Sequence, residues 1–133
     1  MSLPYERTDM NEELAILYIE DCESDFRLIE RELKHAGLIR SIRRVDTRAG
    51  LLAALDEAKW DLVLTDYSVP GMDFTKTLAY FKNERPDLPL ILVSSTIGGD
   101  KAAAMVKLGA RAFVSKEDLQ DLVPTILGQL KRR

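Results

Sequence analysis

A chain of 133 residues with 46% hydrophobic and 31% charged residues is the size of one domain, a balance that excludes a disordered chain and allows one buried core. Its net charge of -3, with acids and bases mixed along the chain, excludes a nucleic-acid footprint, and no apolar stretch approaches the roughly 20 residues that span a bilayer. The single Cys22 excludes an internal disulfide and points to a reducing, cytoplasmic setting.

Met1 to Glu13 carries Pro4 and scattered charges without an apolar segment, so residues 1–13 read as a flexible extension and 14–133 as the folded domain. Ala15 to Ile19 is the first predicted strand. Helix one then places Phe26, Ile29, Leu33 and Ala36 on one face, with Ser24 as its expected cap, Gly37 as its stop and Glu30 paired with Lys34 outside. Strand two, Ile42 to Val45, lies among Arg40, Arg43, Arg44 and Arg48, a cluster that reads as a solvated edge discouraging further strand pairing. Thr47 caps a second helix carrying Leu51, Leu52, Leu55 and Ala58, and Trp60 packs at the start of strand three, Leu62 to Leu64.

The third helix carries Phe74, Leu78 and Phe81 and cannot continue past Pro86. Strand four, Leu90 to Val93, leads to a helix from Asp100 to Leu108 that stops at Gly109, and strand five is Ala112 to Val114. The last helix lines up Leu119, Leu122, Val123, Ile126 and Leu130, and Pro124 fits it only in the first turn. His35 and the terminal Lys131-Arg132-Arg133 read as solvated, dipole-favoured helix ends. Strands that are apolar on both faces belong in a parallel sheet covered on each side. The expected fold is therefore α/β, a doubly wound (βα)5 three-layer sandwich of the flavodoxin-like type.

In such a sheet the site lies beyond the carboxyl ends of the strands, where the strand order reverses. Strand one ends in Glu20-Asp21, strand three in Asp66, strand four in Ser94-Ser95 and strand five in Lys116. Alone, Asp66 would read as a helix cap or turn former. Three crowded carboxylates, however, repel one another and call for a cation, and hard oxygen ligands suit Mg²⁺. Phosphoryl transfer to a carboxylate needs neutralised charge on the moving oxygens, a task for a divalent ion, a lysine and a hydroxyl. Asp66, Ser94 and Lys116 fit those parts.

Four segments then appear in order: Ile16-Leu-Tyr-Ile-Glu20-Asp21, Asp61-Leu-Val-Leu-Thr-Asp66-Tyr-Ser-Val-Pro70-Gly-Met, Pro89-Leu-Ile-Leu-Val-Ser94 and Gly109-Ala-Arg-Ala-Phe113-Val-Ser-Lys116. From Leu14 to Leu130 the chain resembles the chemotaxis-type receiver domains of two-component response regulators. The resemblance implies that Asp66 is the phosphoacceptor, that Glu20, Asp21, Asp66 and the Ser68 backbone carbonyl hold Mg²⁺, and that Ser94 and Lys116 contact phosphoryl oxygens. It further implies a switch in which Ser94 shifts and Phe113 turns inward, remodelling the helix four, strand five and helix five surface. The implied partners are a histidine kinase or phosphotransfer protein, an output partner the residues do not name, and a second copy in a homodimer; no membrane or direct nucleic-acid contact is implied. Ser68 and Thr96 would flank the water that hydrolyses the acyl phosphate, implying an ordinary lifetime and no turnover of external substrates.

Two positions depart from the family pattern. Phe74 stands where many receivers have a glycine, leaving Gly71 to carry the turn, and Glu117 stands where a proline usually follows the lysine. The second departure predicts a trans peptide bond and a looser Lys116 loop. Together they motivate an alternative, a receiver-like interaction module that works without phosphate. The Lys-Glu-Asp-Leu version is similar to receivers attached to sensor kinases. A flavodoxin-like carrier is disfavoured because Glu20-Asp21-Cys22-Glu23 would repel a flavin phosphate, and a phosphatase because Ser68 replaces a second catalytic aspartate.

Overall fold

The computed structural model describes residues 13–95 and 97–130. Its elements are β1 (Leu14–Ile19), α1 (Glu23–His35), β2 (Ile39–Val45), α2 (Arg48–Glu57), β3 (Leu62–Thr65), α3 (Phe74–Glu84), β4 (Leu90–Ser94), α4 (Gly99–Leu108), β5 (Ala112–Ser115), a 3-10 turn (Leu119–Asp121) and α5 (Leu122–Leu130). All strand pairings are parallel, in the order β2-β1-β3-β4-β5. The predicted α/β fold is the one observed. Apart from Glu13, the expected N-terminal extension lies outside the described residues, as do the terminal Lys131-Arg132-Arg133 and Thr96.

Every residue of β1, β3 and β4 is buried, which is why these strands read as unbroken apolar runs rather than alternating ones. Alternate side chains feed two separate cores. Leu17, Ile19, Val63, Leu90 and Leu92 meet Leu51 and Leu55 of α2, Leu78 and Phe81 of α3 and Met105 of α4. Ile16, Tyr18, Leu62, Leu64, Ile91 and Val93 meet Phe26, Ile29 and Leu33 of α1 and Leu122 and Ile126 of α5. That two-residue period carries on past the strand ends, assigning Glu20, Asp66 and Lys116 to the face of α1 and α5, with Tyr18, Leu64 and Val114. Ser94 follows Leu92 onto the opposite face, and the half-buried Phe113 packs there against the α2–α4 core.

Local chemistry explains the starts of α2 and α3. Thr47 Oγ1 accepts from the Gly50 N–H at 2.9 Å, and Asp73 Oδ1 accepts from the N–H groups of Thr75 and Lys76. Gly71 adopts φ +83°, so it carries the turn that lets Phe74 start α3 as a buried core residue. Pro124 does fall in the first turn of α5. Ser24 is not the cap of α1: the helix begins at Glu23, two residues earlier than a Ser24 cap would set it, Cys22 takes the cap position without a side-chain bond, and Ser24 Oγ lies 3.2 Å from Cys22 Sγ. Ala36 and Ala58 extend no apolar face, because each is an exposed residue just past its helix. β2 starts at Ile39, earlier than the apolar run suggests, since Arg40 and Ser41 point outward from an edge strand. There Arg43 pairs with Glu57 at 2.8 Å and stacks over Trp60.

Candidate functional site

The ladder itself delivers the functional residues. One residue past β1, the Glu20 N–H still donates to the Val45 carbonyl; past β3, the Asp66 N–H donates to Ile19; past β5, the Lys116 N–H donates to Ser94. Each side chain is thus carried on backbone that the sheet holds rigid, although it lies outside the strand. β1 and β3 flank the point where strand order reverses, so Glu20, Asp21 and Asp66 meet at the topological switch. Their nearest carboxylate oxygens lie within 4.8 Å of one another.

Glu20 is fully buried and heavily engaged. Its Oε1 accepts from the Tyr18 hydroxyl at 3.0 Å and from Lys116 Nζ at 2.7 Å, and its Oε2 accepts from the Cys22 N–H at 3.2 Å. Burial pushes the Glu20 carboxyl above the usual range, with the Lys116 ammonium pulling the other way. Burial likewise holds the Tyr18 hydroxyl far above its ordinary value, reinforced by Glu20, so it stays protonated and donates to that carboxylate. Asp21, by contrast, is exposed.

Lys116 has an 8% exposed side chain and three acceptors: Glu20 Oε1 at 2.7 Å, Asp25 Oδ2 at 2.8 Å and Asp66 Oδ2 at 3.1 Å. Burial disfavours its charge, but the hydrogen bonds from Asp25 and Glu20 and the charges of Asp66 and Glu20 prevail, raising its pKa beyond the ordinary lysine range. The expectation of a loose lysine loop is corrected. The peptide bonds are trans, and Ser115 closes the turn, its carbonyl accepting from Asp118 and its Oγ from Glu117. A serine turn thus closes the loop with every bond trans, as expected for a lysine followed by Glu117 rather than proline.

Asp66 is 10% exposed at its side chain, with Oδ1 accepting from the Tyr67 N–H at 2.7 Å and Oδ2 facing Lys116. Tyr67 stacks on Phe74 and lies under Lys101 of α4. Ser94 is fully buried, and its backbone carbonyl accepts from the Lys116 N–H at 3.3 Å. Ser68 is exposed on the β3–α3 loop, above which an open groove of about 550 Å³ runs from Tyr67 to Thr75. Three carboxylates with one exposed member form a hard-oxygen donor set that fits a divalent cation.

Sequence reading missed Asp25, Tyr18 and Ser115. Tyr18 was legible as the one polar-tipped side chain in an apolar strand, two residues from Glu20 and therefore on its side. Asp25 had no such signal, because it lies in the first turn of α1 rather than at a strand end.

Known proteins are similar to this chain in sequence and in fold. The DNA-binding transcriptional regulator NtrC of Escherichia coli (strain K12) is 30% identical over 114 residues, covering 84% of this chain and 24% of that protein. The chain therefore spans about a quarter of the NtrC proteins it matches, whereas it spans 88% of the response regulator Rcp1 of Synechocystis sp., at 26% identity over 133 residues and 90% of this chain. Among solved structures, a CheY-like response regulator receiver domain protein from Methanospirillum hungatei JF-1 superposes with a TM-score of 0.76 at 22% identity, over 91% of this chain and 96% of that one. The Francisella response regulator 1452 receiver domain gives 0.76 at 16% identity, over 90% and 98%. These likenesses show the fold. The family described as the response regulator receiver domain matches residues 16–127, from within β1 into α5, and the chain belongs to it.

Proposed function

We propose that this receiver takes a phosphoryl group onto Asp66 from a histidine kinase or phosphotransfer protein. The observation that carries the reading is the meeting of a nearly buried carboxylate, a lysine aimed at its Oδ2 and two further acids at the sheet's switch point. An Asp66 oxygen forms the new P–O bond while the donor's bond to phosphorus breaks and its electron pair leaves with the donor. Glu20, Asp21, Asp66 and the Ser68 carbonyl would hold Mg²⁺, which neutralises charge on the phosphoryl oxygens when bound. Lys116 supplies a second positive charge, and Ser94 and Phe113 relay the change to the α4, β5 and α5 surface and an output partner. The chain hydrolyses its own acyl phosphate and turns over no external substrate. Its compartment is the cytoplasm, in keeping with a single cysteine; among the described residues no helix is long and apolar enough to cross a membrane.

Incubation with Mg²⁺ and a small phosphodonor such as acetyl phosphate should add one phosphoryl mass to the wild type and none to Asp66→Asn. Unmodified wild type, under conditions that label another receiver, would overturn the reading.

A further inference from the structure

Asp25 stands outside the acidic trio, yet it approaches the Lys116 ammonium at 2.8 Å, as closely as Glu20 does at 2.7 Å. An ammonium has three N–H donors, and here each has its own acceptor from a different element: Glu20 after β1, Asp25 in the first turn of α1, Asp66 after β3. Converting Asp66 to an acyl phosphate changes the charge and shape of one acceptor and leaves the other two in place. A lysine on a flexible four-carbon stem that is held by one acceptor can swing about it, whereas two acceptors on separate rigid elements fix its head. The Asp25 side chain is 40% exposed, so solvent screens the pair and its contribution to fold stability is small. Its effect lies in where the ammonium points.

Negative charge in a helix's first turn is favourable without any further role. Glu23 controls for that, since it occupies the same turn, is exposed and pairs with Arg27 rather than with the site.

We propose that Asp25 is a positioning residue for phosphoryl transfer: it tethers the Lys116 ammonium to α1, so that the lysine can exchange Asp66 Oδ2 for a phosphoryl oxygen without leaving the site. This inference rests on the acceptor role of Asp66 proposed above.

The test compares initial labelling rates from acetyl phosphate at saturating Mg²⁺ for wild type, Asp25→Ala, Asp25→Asn, Asp25→Glu and Glu23→Gln. A second readout, in the same proteins without phosphodonor, is the acylation rate of Lys116 by an amine-reactive ester, followed by peptide mass. Removing the Asp25 carboxylate should slow labelling about tenfold and raise Lys116 acylation, the glutamate variant should recover most of both, and Glu23→Gln should match the wild type. Normal labelling in both Asp25→Ala and Asp25→Asn, or equal slowing by Glu23→Gln, would overturn the positioning role alone. A wild type that takes no phosphoryl group would overturn the acceptor reading and this role with it.

Discussion

The two halves of the acidic cluster have neighbouring sequence and opposite surroundings. On the inner half, Glu20 is buried, and its carboxylate is taken up by the Tyr18 hydroxyl, the Lys116 ammonium and the Cys22 amide. On the outer half, Asp21 is exposed, close to Glu20 and Asp66 and open to water. Adjacent acids in one motif thus differ in their second duty: both stand in the proposed cation site, but only the inner one also anchors the lysine, while the outer one meets solvent. The pleat decides which is which, because Glu20 inherits the inward side of Tyr18.

The strongest way to break this division is Lys116→Ala. It leaves Glu20 buried without its cation and should lower the unfolding free energy by about 3 kcal/mol in urea titrations, a loss that an equally large effect from Asp21→Ala would make meaningless. Next in size, Asp21→Asn should weaken Mg²⁺ binding about tenfold, or about 1.4 kcal/mol, while leaving the unfolding midpoint unchanged. Calorimetry showing unaltered Mg²⁺ affinity would move the cation away from the outer half. Tyr18→Phe removes one hydrogen bond to a buried carboxylate and should cost about 1 kcal/mol of stability with Mg²⁺ affinity intact.

The smallest effect is expected at Asp73, on the solvent side of the β3–α3 loop. The Thr75 hydroxyl, then the backbone amides, hold its carboxyl below the ordinary aspartate range. A folded-state pKa below the unfolded one gives stability that is full above about pH 4 and lost as pH falls through the folded value. The gap in thermal midpoint between wild type and Asp73→Asn should therefore be present at neutral pH and close in acid. A gap independent of pH would mean that the charge contributes nothing.

The sheet was legible because β1, β3 and β4 are buried throughout and so appear as apolar runs, and the site was legible because its residues sit at strand ends: Glu20 and Asp21 after β1, Asp66 after β3, Ser94 closing β4 and Lys116 after β5. Boundaries were less so. Ser24 has the right chemistry for a cap, but the chain enters α1 directly from the strand end, with the Cys22 amide already committed to Glu20. Asp25 was unreadable for a different reason: it lies in the first turn of α1 rather than at a strand end, where an acid reads simply as favoured by the helix dipole. The departure at Phe74 was visible together with its remedy, Gly71 at positive φ, whereas the Ser115 turn that orders the loop at Glu117 depends on backbone geometry that residue types do not fix.

The central claim is that Asp66 is the atom-level acceptor, and reductive trapping tests it most directly. After treatment with acetyl phosphate and Mg²⁺, borohydride should convert the acyl phosphate to homoserine, and peptide mapping should find that residue at position 66. Homoserine at Asp21 or Asp25 instead, 5-hydroxynorvaline at Glu20, or neither in a protein that has gained phosphoryl mass, would contradict the account.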